Sequence, residues 1–473
     1  MRILFLTPQL PYPPHQGTAK RNFGLLQGLA RGHRVSLLSF REPDPRAAGS
    51  VAARETPDAL TRLCERVETV PAPPSRRLIR RAIDTLTQPL PDMALRLASQ
   101  RFAERLVGWM AAETFDVIHI EGIEMAPYLD QLLDAGTGAR KQFEGRRLPA
   151  ASVESDAAGR APMLVFDDHN CEYMLQKRYA QVDARIPRRW TGAIYSLIQW
   201  QKLRRYEAEV CRRVDRVLAV SQSDASALER LVRGLHVTVI PNGIDTTAYV
   251  DYTTATDVVM PVDRSPALVF VGKMDFRPNV DAVSWFIKRV WPLIRTAVPE
   301  AHFYAVGQRP HPQLIPLGKD PTVTLTGWVQ DVRPYVARAA VYVAPLRMGS
   351  GTRLKLLEAM ALGKAIVSTR LGAEGLAHAN EPQRPNVSEP DPAVWGKARH
   401  DQEIVIVADN DPAAFADAVV TLMQDPARQE RLGAAAQAFV KTHYDWRSII
   451  PRLEAVYPDS RNLPKHSPMQ ALG

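Results

Sequence analysis

Cysteine is scarce: three in 473 residues, Cys64, Cys171 and Cys211. They are far apart, odd in number and never spaced CxxC. That excludes a disulfide framework and a thiolate zinc cluster, and it fits a reducing cytoplasm. No apolar run approaches the roughly 18 residues of a membrane-spanning helix. The opening "MRILFLTPQLPYPP" has one basic residue and a short apolar run before its prolines. A secretory signal needs a longer apolar core, so a buried first strand is expected instead. A Walker A loop is missing, as are RNP, KH and helix-turn-helix signatures, so nucleic acid is not an expected partner. No metal-ligating constellation stands out, and no bound cofactor is expected.

What is present is apolar and basic. At 45% hydrophobic the chain can build full cores, and 473 residues suggest two or three domains. A formal net charge of +9 favours anionic partners such as nucleotides or phospholipid surfaces. Short apolar strands alternate with helical segments, the pattern of a parallel α/β sheet. "RILFL", "RVSLLSF", "VETV", "DVIHI", "MLVFD", "RVLAVS" and "VTVI" form a first series. "ALVFVG", "HFYAVG", "VTLTG", "VYVAP", "AIVST" and "IVIVA" form a second. Two series predict two similar domains, with ligands bound beyond the carboxyl ends of strands in the cleft between them. The boundaries read as 1–245 for the first domain, 246–266 for a linker and 267–425 for the second domain. Closing helices follow over 426–457 and a loose tail over 458–473, with insertions near 136–160 and 379–402.

Several strand ends carry polar groups. "MGSGTRLKLLEAMALG" (Met348 to Gly363) follows "VYVAP" and reads as a glycine turn entering a helix. Free backbone N–H groups there suit an anion. Gly351, Lys355 and Glu358 fall at i, i+4 and i+7 on one face, while leucines and Met360 fill the rest. Lys355 suits a phosphate and Glu358 a pair of hydroxyls, as in a nucleoside diphosphate; a surface Lys–Glu pair fits equally well. Lys273 and Arg277 follow "FVG" within reach of a phosphate, and Gly17 opens a helix after the first strand. His119 and Glu121 end "DVIHI", and His169, Asn170 and Glu172 follow "MLVFD". A histidine at such a place can bond a sugar hydroxyl or assist proton transfer, or simply be structural. "DND" at Asp409 to Asp411 reads as a helix N-cap rather than a metal motif.

Two basic segments stand apart. "PSRRLIRRAIDTL" carries Arg76, Arg77, Arg80 and Arg81; "IPRRWTGAIYSLIQWQKLRR" mixes Arg188, Arg189, Trp190, Trp200, Lys202, Arg204 and Arg205. Each reads either as a helix lying on an anionic membrane or as a core helix with a solvated charged face.

Taken together, the quoted motifs resemble retaining glycosyltransferases of family 4, which have the GT-B fold of two Rossmann-like domains facing each other across a cleft. "VTVIPNGID", "FVGKMDFRPN" and "GTRLKLLEAM" carry the likeness, the last two looking most like bacterial enzymes of cell-surface polysaccharide synthesis. The resemblance implies an NDP-sugar donor, no metal, and a lipid-linked or polysaccharide acceptor on the first domain. It implies a cytoplasmic enzyme, peripheral on the inner face of the membrane, whose final helix returns to the first domain. Glu358 then matches the ribose-binding acid. Gly17, Lys273, Arg277, Gly351, Thr352, Arg353 and Lys355 fall in the phosphate-binding region. His169 falls beside the donor sugar as the catalytic candidate, with His119, Glu121, Asn170, Glu172 and Ser350 on the acceptor or sugar side. One departure is plain: the acid that the family carries eight residues before Glu358 is Ser350 here. Two rival readings remain. An inactive scaffold subunit would lack nucleotide binding, and an epimerase would need a further acid–base set around the sugar.

Overall fold

The computed structural model describes residues 1–14, 17–41, 58–134, 161–184, 190–249, 266–348, 353–376 and 404–457. It divides into two compact units: Met1–Ile240 with Ile450–Gly473, and Pro241–Ile449.

In the first unit, β1 (Arg2–Thr7) leads into α1 (Gly17–Leu29), followed by β2 (Arg34–Arg41) and β3 (Arg66–Pro71). Helices α2 (Leu78–Thr87) and α3 (Gln100–Ala112) precede β4 (Val117–Glu121) and β5 (Met163–Asp168). Then come α4 (Glu172–Ala184), α5 (Trp190–Arg213), β6 (Arg216–Ala219), α6 (Gln222–Leu231) and β7 (Val237–Val239). The seven strands form one sheet in the order β3-β2-β1-β4-β5-β6-β7, every pairing parallel. Strands buried on both faces explain the unbroken apolar runs of the sequence. Leu4, Leu6, Leu38, Phe40, Ile118, Ile120 and Phe166 point into one core with Phe102 and Trp109 of α3.

The second unit repeats the plan. It contains β8 (Ala267–Val271), α7 (Arg277–Trp285), β9 (His302–Val306), β10 (Val323–Leu325) and β11 (Val341–Ala344). Helix α8 (Leu354–Ala361), β12 (Ile366–Thr369), β13 (Val405–Val407), α9 (Pro412–Met423) and α10 (Pro426–His443) follow. The strand order is β10-β9-β8-β11-β12-β13, again parallel. Side-chain alternation splits the apolar residues into two cores. Leu268, Phe270, Phe303 and Val343 go to one; Val269, Tyr304, Tyr342 and Leu357 of α8 go to the other.

A last helix, α11 (Trp446–Glu454), carries the chain out of the second unit, and from Ile450 onward it belongs to the first. Ile450 lies against Gly28 of α1, where a Cβ would come within 2.2 Å of it. Of the expected linker, Thr246–Tyr249 is a 3-10 turn of the second unit. The rest of that linker from 250 to 265 lies outside the described residues, as do the expected insertions and the tail. Every stretch read as a strand is a strand. In each sheet the order reverses beside the first strand, between β1 and β4 and between β8 and β11. Those switch points are where open α/β sheets bind ligands.

Candidate active site

In the second unit, three segments converge at the switch point. Strand β8 ends at Val271 just before Gly272, α7 starts at Arg277, and α8 follows β11. Lys355 Nζ donates to Asn279 Oδ1 at 2.7 Å and lies 4.3 Å from the centroid of the Phe270 ring. The Asn279 amide also donates to the Lys273 carbonyl at 2.9 Å, so it joins the β8 loop to α8. Gly272 makes room for this. A Cβ there would meet Asn279 Nδ2 at 2.6 Å and Lys355 Nζ at 2.9 Å. Gly307, at the end of β9, packs still closer: its Cβ would fall 1.8 Å from the Gly272 carbonyl oxygen.

Burial first, and then the neighbouring Arg353 guanidinium, lower the Lys355 pKa to about 7 against the pull of Glu358. Burial and a second cation beside it both disfavour the charged ammonium. Arg353 sits at the N-cap position of α8 without capping it through its side chain. Lys273 is more open and lies 3.7 Å from Asp275, which Arg309 approaches equally closely from the other side. Glu358 is hydrogen-bonded by the Tyr249 hydroxyl, whose pKa rises through burial and through that carboxylate. The structure thus brings Arg353, Lys355 and Glu358 together, joins the Lys273 backbone to Lys355 through Asn279, and places Arg277 at the start of α7. Ser350, Gly351 and Thr352 lie outside the described residues. Helix α8 starts at Leu354, three residues after the expected glycine turn.

In the first unit the carboxyl ends of β4 and β5 hold a buried charged network. Arg21 of α1 is 1% exposed and places Nη2 2.6 Å from Asp167 Oδ2. Its Nη1 donates to the Ile240 carbonyl at 3.0 Å. His119 stacks on Phe5 at 4.5 Å. Its Nδ1 lies 2.8 Å from the Tyr457 hydroxyl, and its Nε2 lies 2.9 Å from Glu121 and 3.4 Å from Asp167. Glu121 in turn is hydrogen-bonded to His169 Nε2. Burial works against the His119 charge, but Glu121 and Asp167 outweigh it and lift the pKa to about 9. The same contest, with Glu121 dominant among the raising groups, lifts His169.

His119 and Glu121 are fully buried, and Glu121 is hydrogen-bonded to His169. His169 is the outermost member, its side chain 12% exposed. At a pKa of about 9 the His119 imidazole holds its proton at neutral pH, and Glu121 also favours the charged form of His169. Asn170 bonds to Glu172, whose carboxyl is pushed well up by burial and by Glu124. Gly17 is the exposed first residue of α1. His119, Glu121 and Asp167 have ligand-like spacing, their atoms lying within 4.8 Å of one another. Two cations, Arg21 and protonated His119, already face those carboxylates. Asp411 caps α9 by accepting from the Ala414 N–H, as read from "DND".

Sequence reasoning missed Arg21, Asp167, Tyr457, Asn279 and Tyr249. Asp167 and Asn279 sit inside motifs already singled out. Nothing local marks Arg21 or Tyr457, whose partners lie far along the chain.

Residues 265–425, containing this Lys355 site, match the family model "Glycosyl transferases group 1"; residues 158–248 match "Glycosyltransferase Family 4". The chain carries glycosyltransferase domains on a GT-B fold. Sucrose-phosphate synthase from Thermosynechococcus elongatus superposes with a TM-score of 0.62 at 17% identity, covering 97% of this chain and 98% of that one. HepE from Anabaena, solved in complex with UDP, gives 0.59 at 15% identity, covering 96% and 99%. At these identities the likeness is one of fold. A curated relative, an uncharacterized 44.6 kDa protein in the cps region of Klebsiella pneumoniae, is 20% identical over 39% of this chain. The match spans 44% of that relative's length. Among the described residues no helix is long and apolar enough to cross a membrane.

Proposed function

We propose that this protein is a retaining, metal-independent glycosyltransferase. It moves a sugar from a nucleoside-diphosphate donor to a lipid-linked or polysaccharide acceptor in cell-surface glycan synthesis. The reading rests above all on Lys355: a partly buried ammonium with a lowered pKa, at a switch point, beside Arg353. A diphosphate placed here would be attracted by both cations. Lys355, Arg353 and Lys273 then stabilise the leaving diphosphate electrostatically, the work that a metal ion performs in other transferases. Glu358 accepts hydrogen bonds from the ribose hydroxyls, exchanging its Tyr249 contact for them. His169, hydrogen-bonded to Glu121, is the catalytic candidate on the sugar side. Retention follows a front-face route in which the departing phosphate helps to take the acceptor proton.

The HepE structures with UDP and with UDP-glucose support a nucleotide-sugar donor. The cps-region relative supports a role in surface polysaccharide. Three buried free thiols support a cytoplasmic setting.

Incubation with a panel of UDP-, GDP- and ADP-sugars tests the reading. One donor is expected to bind and to hydrolyse slowly, with EDTA leaving the rate unchanged. Lys355→Ala is expected to lose that binding. No binding by any donor to the folded protein favours an inactive scaffold instead, and interconversion of a free nucleotide sugar favours an epimerase.

A further inference from the structure

Helix α2 is inside out. Leu78 and Leu86 are each 78% exposed, Ile79 is 77% exposed and Ile83 is 48% exposed. Its buried side chains are the polar ones, Asp84 and Thr85. The inversion has a clear cause. Asp84 is held by Arg76 at 2.9 Å and Arg80 at 3.0 Å. Thr85 Oγ1 accepts from Gln199 of α5 at 3.1 Å. Lys202 of α5 donates to the carbonyl of Gln88 at 2.5 Å. Asp92, just beyond α2, gathers Arg76, Arg81 and Tyr195 of α5. The polar face is therefore fastened to α5, and the aliphatic face is left to solvent. On α5 itself, Trp190, Ile194 and Leu197 are also exposed, at i, i+4 and i+7.

We propose that the aliphatic face of α2 docks on an anionic phospholipid surface. The argument is partly size. Four aliphatic side chains on a ten-residue helix fall well short of the ~800 Å² per partner of a stable protein interface. They do suffice for shallow insertion at the headgroup boundary, where a tryptophan such as Trp190 also sits well. Charge gives the sign. Arg77 and Arg80 flank the stripe, Arg204 and Arg205 are exposed on α5, and the whole chain carries +9. Arg188 and Arg189 lie outside the described residues. The docking does not require a donor, so it stands or falls apart from the glycosyltransferase reading.

Flotation of the full chain with phosphatidylglycerol–phosphatidylcholine vesicles tests it. The wild type is expected to float, and to float less with phosphatidylcholine alone. Each of Leu78→Ser, Ile79→Ser and Leu86→Ser is expected to weaken binding by about tenfold, with an unchanged melting temperature. Arg77→Ser is expected to weaken it about fivefold on anionic vesicles only. A wild type that stays with the soluble fraction overturns the proposal, and so does a triple serine variant that floats like the wild type. A dimer in light scattering that the triple variant abolishes makes the face a subunit interface instead. A melting temperature that falls in the triple variant makes it a surface covered by this chain's own residues, which also overturns the proposal.

Discussion

At the residue scale, Lys355 links charge to binding. On the proposed reading, a bound diphosphate raises its pKa from about 7, so binding takes up a proton. UDP affinity is therefore expected to fall as pH rises above 7, by up to about tenfold per unit for one proton. Titration calorimetry in two buffers of different ionisation heat reads that uptake directly; an affinity flat from pH 7 to 9 would contradict it. Glu207 gives the matching stability prediction. It accepts from the backbone N–H groups of Glu172 and Tyr173 at the start of α4, and burial pushes its carboxyl up to about 8. The folded state thus binds more protons than the unfolded state between the two pKa values. Stability falls with rising pH across that window, from 4.5 to about 8. Urea titrations should show a wild type that loses stability relative to Glu207→Gln over this range, and the reverse slope would count against the assignment.

At the element scale, the proposed donor site depends on where α8 lies. Its apolar face, Leu356, Leu357 and Met360, is legible in the sequence as helical spacing, and so is its Lys355–Glu358 stripe. Its fastening is not. Gly433 of α10 approaches so closely that a Cβ would stand 1.9 Å from the carbonyl oxygen of Gly363, just after α8. Gly433→Val is expected to push α10 away and destabilise the second unit by about 1–3 kcal/mol, the usual scale of overpacking. A thermal melt measures the loss, and a variant as stable as the wild type would show that the helices yield without strain. Helix α2 makes the opposite point. Its arginines read either as a membrane-facing or as a solvated face, but Asp84 and Asp92 draw several of them inward, and the leucines turn out. Only the partners across space decide which face of such a helix is buried.

At the scale of the whole molecule, the first unit is discontinuous in sequence. Its last part, from Ile450, supplies the residue that packs on Gly28 and the tyrosine hydroxyl that holds His119. A chain ending at Ile449 leaves a buried imidazole without that partner, at a cost of about 1–3 kcal/mol. It also leaves the Gly28 surface bare. Hydrogen exchange should then show faster opening around β1 and β4, while the strands of the second unit keep their protection. Equal loss in both units would contradict this account.

By itself the sequence determined the strands, their grouping into two parallel sheets and the cationic strand ends of the second unit. Those features are local: apolar runs of strand length, turn residues after them, and charge at fixed helical spacing. Tertiary structure alone decided that His119 and Glu121 are buried, that Arg21 and Tyr457 join them, and that α2 shows its leucines to solvent. Each of those outcomes is a contest between burial and charged or hydrogen-bonding partners, at least one of them tens to hundreds of residues away. Which one wins depends on distances that no local pattern carries.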